Sequence, residues 1–469
     1  MVSNWSESSL LELYEVSSGL SKASEFFGQG FPFLSFKDVF KNTFLPSRLE
    51  QLVLSDDKER VKCSVRKGDV FLTRTSETMH ELGMSSVALK DYPEATFNGF
   101  TKRLRPKPDT DKILHPEYVG YYLRSPLFRQ KMLAFSTMST RASLNNEMIG
   151  RLTISYPDIE IQKRLADMLK KLDEKVELNF QTNQTLEHMA QALFKSWFVY
   201  FDPVIDNALA AGTNVCDFPE ALRHRVEHRK QAQQLSDYKS LPDKVLSLFP
   251  SEFEQSDEPK IGINGWVPKG WELSNTDDEF GIKGGSTPST KNAAFWDGGD
   301  IHWTSPKDLS GNKTKILQDT NRKITEAGLA KITSGLLPVD TVLMSSRAPV
   351  GYLALAKVPV AINQGYIALL CEKTLTSEYT IQFLDSIMDE IKGISGGTTF
   401  AEISKKTFRS IKLVVPTKLV VDAYTSVVKT HYEKITDNIK QTNTLTETRD
   451  YLLPKLISGE VILKEASHG

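Results

Sequence analysis

The chain has 469 residues, of which 40% are hydrophobic and 25% are charged, a composition that can fill two or three hydrophobic cores. No apolar run approaches the roughly 18 residues that span a bilayer, and three scattered cysteines favour neither a disulfide framework nor a zinc site, so we expect a cytoplasmic protein. The formal net charge of −1 excludes a global positive field, so any nucleic acid would have to be bound by local basic patches.

Residues 1–157 are predicted to form a first globular domain of short strands bounded by Gly, Pro and Asn. Residues 67–72 predict a strand entered through a turn, and the polar stretch after it contains Arg74. Asn98-Gly99-Phe100 lies in the next predicted strand, and the domain ends with Ile154-Ser155-Tyr156-Pro157.

Residues 158–200 predict a long helix with a mostly 3.5-residue apolar repeat, which is typical of paired helices. The pattern returns 259 residues later (413 − 154 = 259), where Leu413-Val414-Val415-Pro416 precedes a second helix at 417–457 and a tail at 458–469. Both helices contain the same doubled step of four, which favours an internal duplication over two unrelated amphipathic helices. The predicted seam positions are Leu165, Leu172, Val176, Asn179, Leu186 and Leu193 in the first helix and Tyr424, Val427, Ile435, Asn438, Leu445 and Leu452 in the second.

Residues 201–262 have no counterpart in the first half and are predicted to be a connector with a basic, Gln-rich helical segment and an acidic, turn-rich segment. His224 and His228 lie four residues apart on one face of that helix. Because no third ligand is near them in sequence, we expect a solvated helix face and no metal site.

Residues 263–416 are predicted to be a second globular domain that repeats the first. The sequence match pairs residues 67–72 with 338–343, and Asn98-Gly99-Phe100 with Asn363-Gln364-Gly365. The predicted fold class is therefore α+β, with two similar α/β domains separated by an antiparallel pair of long coiled-coil helices and related by a pseudo-twofold duplication.

An antiparallel pairing would bury both seams, and about 37 residues at about 1.5 Å each predict a rod of roughly 55 Å. Asn179 and Asn438 would then face each other in the middle, where buried amides cost stability but penalise slipped registers. This register is a hypothesis, and it predicts that replacing both residues with Leu raises thermal stability and loosens the register.

The sequence has no GxGxxG after a strand, no P-loop, no GxSxG elbow and no HExxH, so we expect no catalysis by this chain alone. Two basic stretches and several polar loops are instead candidates for DNA contacts, because Lys and Arg neutralise phosphates and polar loops can reach base edges. The predicted DNA-binding residues are Arg74, Lys102, Arg103, Arg105, Lys107 and Arg141 in the first domain and Lys307, Lys313, Lys315, Arg322, Lys323 and Arg347 in the second.

The most distinctive parts of the sequence are the strand-Pro-helix passages at Pro157 and Pro416, segments 193–203 and 452–460, and Asn363-Gln364-Gly365. In these parts the chain resembles the specificity subunit of type I restriction-modification systems. The resemblance implies two target-recognition domains that each read one half of a split double-stranded DNA sequence. It also implies that the helices dock two modification (methyltransferase) subunits, which restriction (translocase/endonuclease) subunits join.

No cofactor in this chain is implied by the resemblance, since S-adenosylmethionine, ATP and Mg²⁺ would belong to the partner subunits. The residues themselves leave a rival function open, a two-headed adaptor that binds protein or glycan ligands across a coiled-coil spacer. Duplex affinity that falls steeply with salt would favour DNA over the adaptor.

Overall fold

The computed structural model describes residues 5–75, 81–134, 143–236, 238–312, 314–397 and 401–461. The chain forms two compact units. Unit 1 combines residues 1–177 with residues 442–469, and unit 2 is formed by residues 178–441. Among the described residues, no helix combines the length and the apolar composition that crossing a membrane requires.

Unit 1 consists of short strands and helices followed by a long helix. Its strands are β1 (Ser6–Ser9), β2 (Tyr14–Ser18), β3 (Phe27–Leu34), β4 (Gln51–Val53), β5 (Val70–Thr73), β6 (Ser85–Val87), β7 (Thr96–Phe97), β8 (Thr101–Pro106) and β9 (Thr153–Tyr156). Its helices are α1 (Leu10–Leu13), α2 (Phe36–Lys41), α3 (Asp57–Lys62), α4 (Thr110–Ile113), α5 (Pro116–Arg124), α6 (Pro126–Ala134), α7 (Asn146–Arg151) and the first part of α8 (Ile159–Phe194).

Three sheets organise the first domain. One has the strand order β2-β8-β5-β6, a second has the order β4-β3-β7 with β3 and β7 parallel, and β1 pairs with β9. Side chains alternate along β5, so Val70 and Leu72 join Tyr118 of α5 in the main core, whereas Phe71 joins Phe97 in a second core. The central strand β5 is therefore buried on both faces.

Unit 2 begins with the second part of α8 and a π-helical turn at Lys195–Val199. Its strands are β10 (Phe253–Gln255), β11 (Trp266–Pro268), β12 (Glu272–Asn275), β13 (Gly281–Lys283), β14 (Ile301–Thr304), β15 (Ile316–Leu317), β16 (Arg322–Ile324), β17 (Val342–Ser345), β18 (Leu353–Ala356), β19 (Ala361–Ile362), β20 (Tyr366–Leu370) and β21 (Lys412–Val415). The remaining helices are α9 (Asp202–Ala210), α10 (Glu220–Ala232), α11 (Asp243–Leu246), α12 (Thr276–Glu279), α13 (Pro306–Leu309), α14 (Glu326–Leu329), α15 (Ser377–Ser386), α16 (Met388–Gly393), α17 (Lys405–Arg409) and α18 (Lys418–Ile457), whose last part belongs to unit 1.

The sheets of unit 2 repeat those of unit 1 strand by strand. Their orders are β13-β20-β17-β18-β15, β16-β14-β19 and β12-β21, and β14 runs parallel to β19 as β3 does to β7. The added strand β15 pairs with β18 in parallel, where unit 1 has a parallel bridge between Phe44 and Val87. The predicted α+β class and internal duplication are thus confirmed.

Just before β5 and β17, the residues that are equivalent in the structure are shifted by one position from the residues that the sequence match paired. Gly68 donates its backbone N–H to Ala88 at 2.8 Å, and Asp340 donates to Ala356 at 2.7 Å. Both donors have a positive φ, 86° and 66° respectively. Gly68 therefore corresponds to Asp340, whereas the sequence match paired Asp69 with Asp340 because it aligned identical side chains.

Within unit 1, the start of α8 packs against the end of α18. Leu165 and Leu169 share the main core with Leu453, and Arg449 Nη1 lies 2.7 Å from Asp173 Oδ1. Early residues of one helix thus meet late residues of the other, and the two segments are antiparallel. The other predicted seam positions in this unit are half-buried, namely Leu172, Val176, Leu445 and Leu452.

Within unit 2, the end of α8 packs against the beginning of α18. The Tyr424 ring lies edge-to-face with the rings of Phe194 and Trp197, each at a centroid distance of 6.0 Å. Asn179 and Asn438 are both buried, and Asn179 Nδ2 lies 3.4 Å from the backbone oxygen of Asn438. The two asparagines therefore meet, as the register hypothesis expected.

One predicted seam position, Val427, is wrong. Its side chain is 43% exposed, whereas its neighbour Val428 is buried in the core of unit 2 with Tyr424 and Tyr432. The buried residues Tyr424, Val428 and Tyr432 are spaced four apart, not in the alternating steps of three and four of a coiled coil. This spacing arises because α18 packs here against a globular core, and a straight α-helix of 3.6 residues per turn buries a different set of positions there than it would against a supercoiled partner helix. The other predicted positions are buried or half-buried, namely Ile435, Leu186 and Leu193.

The predicted connector folds as part of unit 2. Arg225 binds both carboxylate oxygens of Asp202 at 2.8 and 2.7 Å, and Arg229 binds Asp206 in the same way at 2.8 and 2.6 Å. These two ion pairs join α10 to α9, and β10 pairs with β11. The connector is therefore an ordered layer of the second domain.

Candidate nucleic-acid interface

In unit 1, three segments meet at the ends of β3, β5 and β7. The loop after β7 starts at Asn98, which donates its backbone N–H to Leu34 at the end of β3 (3.0 Å). Arg74, just after β5, donates its backbone N–H to the carbonyl of Phe100 (2.8 Å). Within the loop, the N–H of Phe100 donates to Asn98 Oδ1 at 2.6 Å, so both ends of the loop are held.

Unit 2 builds the same arrangement from the matching segments. Asn363 donates to Thr304 at the end of β14 (3.0 Å), and Ser346 donates to the carbonyl of Gly365 (2.8 Å). The N–H of Gly365 donates to Asn363 Oδ1 at 2.9 Å. Position by position, the loop Asn363-Gln364-Gly365 therefore corresponds to Asn98-Gly99-Phe100, as the sequence predicted.

Cationic side chains surround this loop in unit 1. Arg74 is exposed, and Lys102 donates to Ser18 Oγ at 3.0 Å. Burial, and after it the positive charge of Arg74, lowers the pKa of Lys102, so the two cations are close enough to repel each other. No ion pair joins Arg74 to another residue in the described part of the chain. Its charge is available to an anionic ligand.

Both units place a lysine at the same position, and the sequence reasoning predicted it in unit 2 but missed it in unit 1. The segments Ser35-Phe36-Lys37-Asp38 and Ser305-Pro306-Lys307-Asp308 each follow the strand that runs parallel to its neighbour, and in each the Ser and Asp form a reciprocal helix cap. Lys37 and Lys307 are both exposed. The repeated Ser-x-Lys-Asp pattern was the available signal for Lys37, and it was overlooked because the surrounding residues 31–40 are mostly aromatic and apolar.

A cavity of about 330 Å³ opens beside the loop of unit 2. Its lining includes Lys307, Arg347, Asn363 and Gly365. Arg347 Nη1 lies 3.7 Å from a carboxylate oxygen of Glu402, and both side chains are partly exposed to solvent. The predicted residues Lys307 and Arg347 are thus brought together at one recess.

Three residues of the predicted basic stretch in unit 1 are used inside the domain. Arg103 is 7% exposed and donates to two backbone carbonyls, and Lys107 donates to the carbonyl of Leu11 at 2.6 Å. Arg105 makes two bonds, at 2.8 and 2.6 Å, to the fully buried carboxylate of Asp69. Interpreting these three as an exposed basic patch was wrong, because Arg103 and Arg105 lie on β8 between β2 and β5 and bond to the preceding segments, and Lys107, just after β8, bonds to the backbone of α1.

Lys315 is also paired within its own unit. Its Nζ lies 2.7 Å from Glu187 and 3.1 Å from Asp385, and its side chain is 16% exposed. The predicted DNA contacts Lys313 and Arg141 lie outside the described residues.

Arg322 and Lys323 lie on β16 at the surface of unit 2. The Arg322 guanidinium stacks 3.4 Å from the centre of the Trp296 ring, and Lys323 Nζ lies 3.7 Å from Asp319. Both keep an exposed charge, but each already has an intramolecular partner.

No group of three or more His, Cys, Asp or Glu side chains is arranged to hold a metal ion within the described ranges. His224 and His228 are exposed on α10.

Sequence comparison assigns the family. A profile of the type I restriction modification DNA specificity domain matches residues 2–188 and 268–448, one segment in each copy of the structural repeat. The chain belongs to the family of type I restriction-modification specificity proteins.

Curated relatives agree with this assignment. The chain is 28% identical to the type I restriction enzyme HindI specificity subunit of Haemophilus influenzae, over 98% of this chain and 100% of that protein. It is 34% identical to the MjaIX specificity subunit of Methanocaldococcus jannaschii over 43% of this chain and 46% of that protein. A crystal structure of the S subunit from M. genitalium shares the fold, with a TM-score of 0.54, 13% identity, and coverage of 97% of this chain and 96% of that one.

Proposed function

We propose that this chain selects the DNA sequence in a type I restriction-modification complex, with each unit reading one half of a split double-stranded site. The observation that carries the proposal is that both units contain the same kind of surface, a loop held by backbone hydrogen bonds and flanked by exposed cationic side chains. In unit 1 the loop 98–100 lies with Arg74, and in unit 2 the loop 363–365 lies with Lys307 and Arg347. Family membership and full-length similarity to a named specificity subunit support it.

The two kinds of group on this surface do different work in DNA binding. Lysine and arginine neutralise phosphates and fix the register of the protein on the duplex, but they carry no sequence information when they contact only the backbone. Side chains that reach the base edges supply the sequence preference. Because the cations of the two units are similar and the loop side chains differ, we expect the two half-sites to differ in sequence.

In the proposed complex this chain has no catalytic residue. Two modification subunits dock on it and bring S-adenosylmethionine, and restriction subunits bring ATP and Mg²⁺. The complex acts in the cytoplasm. Single-molecule mapping of methylated bases in a host that carries the chain and its partners tests this proposal, since a bipartite sequence is expected and a continuous one contradicts it.

The phosphate contacts are tested by Lys37→Gln and Lys307→Gln. Each substitution is expected to weaken binding equally for all duplex sequences and to reduce the slope of log K against log salt by about 0.9, because one fewer phosphate is neutralised. The matched control is Lys163→Gln on α8, which removes the same charge from an exposed residue paired with Glu160 at 2.8 Å.

An equal slope change in the control would assign the effect to net charge and contradict the assigned contacts. Duplex binding by the unsubstituted protein that is insensitive to salt would favour the adaptor instead of a DNA-reading subunit.

A further inference from the structure

One large apolar side chain of unit 1, Phe100, is exposed to solvent on the loop that is bonded to Arg74. Phe100 is 62% exposed, although the domain offers two apolar cores. An isolated exposed Phe is common on protein surfaces, so exposure alone assigns no role. The role proposed below rests instead on the position of Phe100 in a loop that is fixed by backbone hydrogen bonds.

The loop does not allow Phe100 to turn inward by a small backbone change. Its N–H and its carbonyl are both bonded, to Asn98 Oδ1 and to the N–H of Arg74. The preceding Gly99 donates to the carbonyl of Leu20 at 2.9 Å, and a Cβ at Gly99 would lie 2.2 Å from Ser21 Oγ. The backbone at residues 99 and 100 is therefore closely packed, and the Phe100 side chain is exposed in the structure without a ligand.

Cations flank this side chain along the chain and across the sheet. Arg74 is bonded to Phe100 through the backbone, and Lys102 follows two residues later. In duplex DNA, apolar base faces and thymine methyl groups lie between two rows of phosphates. An apolar group between cations matches that pattern, and wedge-like Phe side chains are known to contact or unstack base steps.

At the corresponding position, unit 2 has a cavity instead of a protruding side chain. There Gly365 lies beside the cavity of about 330 Å³, and a Cβ on it would come 3.0 Å from Pro306 Cγ. The two units thus carry equivalent loops, with a protruding ring in one and a recess in the other. The backbone hydrogen bonds at this position are the same in both units, whereas the side chain differs. Such a position is suited to setting a sequence preference that differs between the two half-sites.

From these observations we infer that Phe100 contacts a base of the half-site read by unit 1 and determines the sequence preference there. The inference rests on the proposed DNA-reading function. It assigns to Phe100 a specificity role that differs from the phosphate contacts of Lys37.

The test uses the full chain assembled with its partner subunits, after the recognised sequence has been mapped. Affinities of wild type and Phe100→Ala are measured for duplexes that carry each single base-pair change in both half-sites. Phe100→Ala is expected to lose about 5- to 150-fold of discrimination at one or two adjacent positions of a single half-site. Discrimination in the other half-site and the salt slope should stay unchanged.

Val61→Ala is the matched control, because Val61 is another exposed apolar residue of unit 1, at 72% exposure, and lies on α3 and not on the loop. A uniform loss for all duplexes, or unchanged discrimination in Phe100→Ala, would overturn the inference while leaving the proposed function intact. Failure of the wild-type complex to bind duplex with a salt-dependent affinity would instead remove the proposed function. Circular dichroism of both variants should match wild type, since both side chains are exposed.

Discussion

The buried amides between α8 and α18 allow a quantitative prediction. Asn438 Nδ2 donates to Asn183 Oδ1 at 2.8 Å, and the two residues are 3% and 5% exposed. Asn179 Nδ2 donates to Gln441 Oε1 at 2.9 Å, and Gln441 is exposed. The amides therefore bond to neighbours one turn away as well as meeting each other, and the two halves of the network differ in their access to water.

This arrangement changes what a leucine at position 438 should do. The sequence alone predicted that Leu at both 179 and 438 is stabilising, but Asn438→Leu leaves the buried carbonyl of Asn183 without its donor. An unsatisfied buried polar group costs about 1–3 kcal/mol, whereas replacing both partners with apolar groups is close to neutral. We therefore expect Asn438→Leu and Asn183→Leu each to destabilise unit 2, and the double variant to recover most of the loss.

Thermal unfolding of the four proteins in this double-mutant cycle measures the coupling. For a domain of this size about 1 kcal/mol shifts the midpoint by roughly 2–4 °C, so each single variant should melt several degrees below wild type. Asn443→Leu is the matched control, because Asn443 is exposed on the same helix and should stay within about 0.5 kcal/mol of wild type. Additive losses in the double variant would refute the reasoning, since they would mean that the two amides do not interact.

Two further predictions concern stability. Arg105→Gln should destabilise unit 1 by about 3 kcal/mol, because it leaves the buried Asp69 carboxylate without its bidentate partner; a loss of DNA affinity with unchanged melting would instead make Arg105 a DNA contact. Burial lowers the pKa of His431, so the folded state disfavours its protonation. The stability that neutral His431 contributes to the folded state is fully present above the unfolded pKa of about 6.5. It is lost as the pH falls from this value towards the lower pKa of the folded state. His431→Gln should therefore flatten the fall in melting temperature between about pH 7 and pH 5. The slope should not vanish, because the pKa values of His115 and His302 are also lowered by burial, and an unchanged slope would contradict the assignment.

The duplication could be predicted from sequence because the signals that carry it are local. Each long helix shows its apolar period within its own residues, and each loop shows its Asn and Gly within three positions. The order of strands within each sheet could not be derived in this way, since it depends on pairings between distant segments.

The DNA-contacting residues were harder to predict, because charge alone does not decide exposure. Arg105 and Lys102 lie in the same stretch, yet Arg105 bonds to Asp69 in the turn before β5, whereas Lys102 bonds to Ser18 near the loop. The prediction that Val427 lies in the helix seam was wrong for a related reason. The heptad pattern assumes a helical partner along the whole seam, whereas this part of α18 packs on a globular core.

The folded connector has a practical consequence for chimeric proteins. Transplanting the second domain as a cassette with its junction at residue 263 would separate β10 from its partner β11 and divide an intact two-stranded sheet. A donor segment that starts before Asp202 would instead carry both arginine clamps, from Arg225 and Arg229, together with the strands they support. Grafts cut there should keep their native packing, so the transferable cassette is longer than the repeat itself.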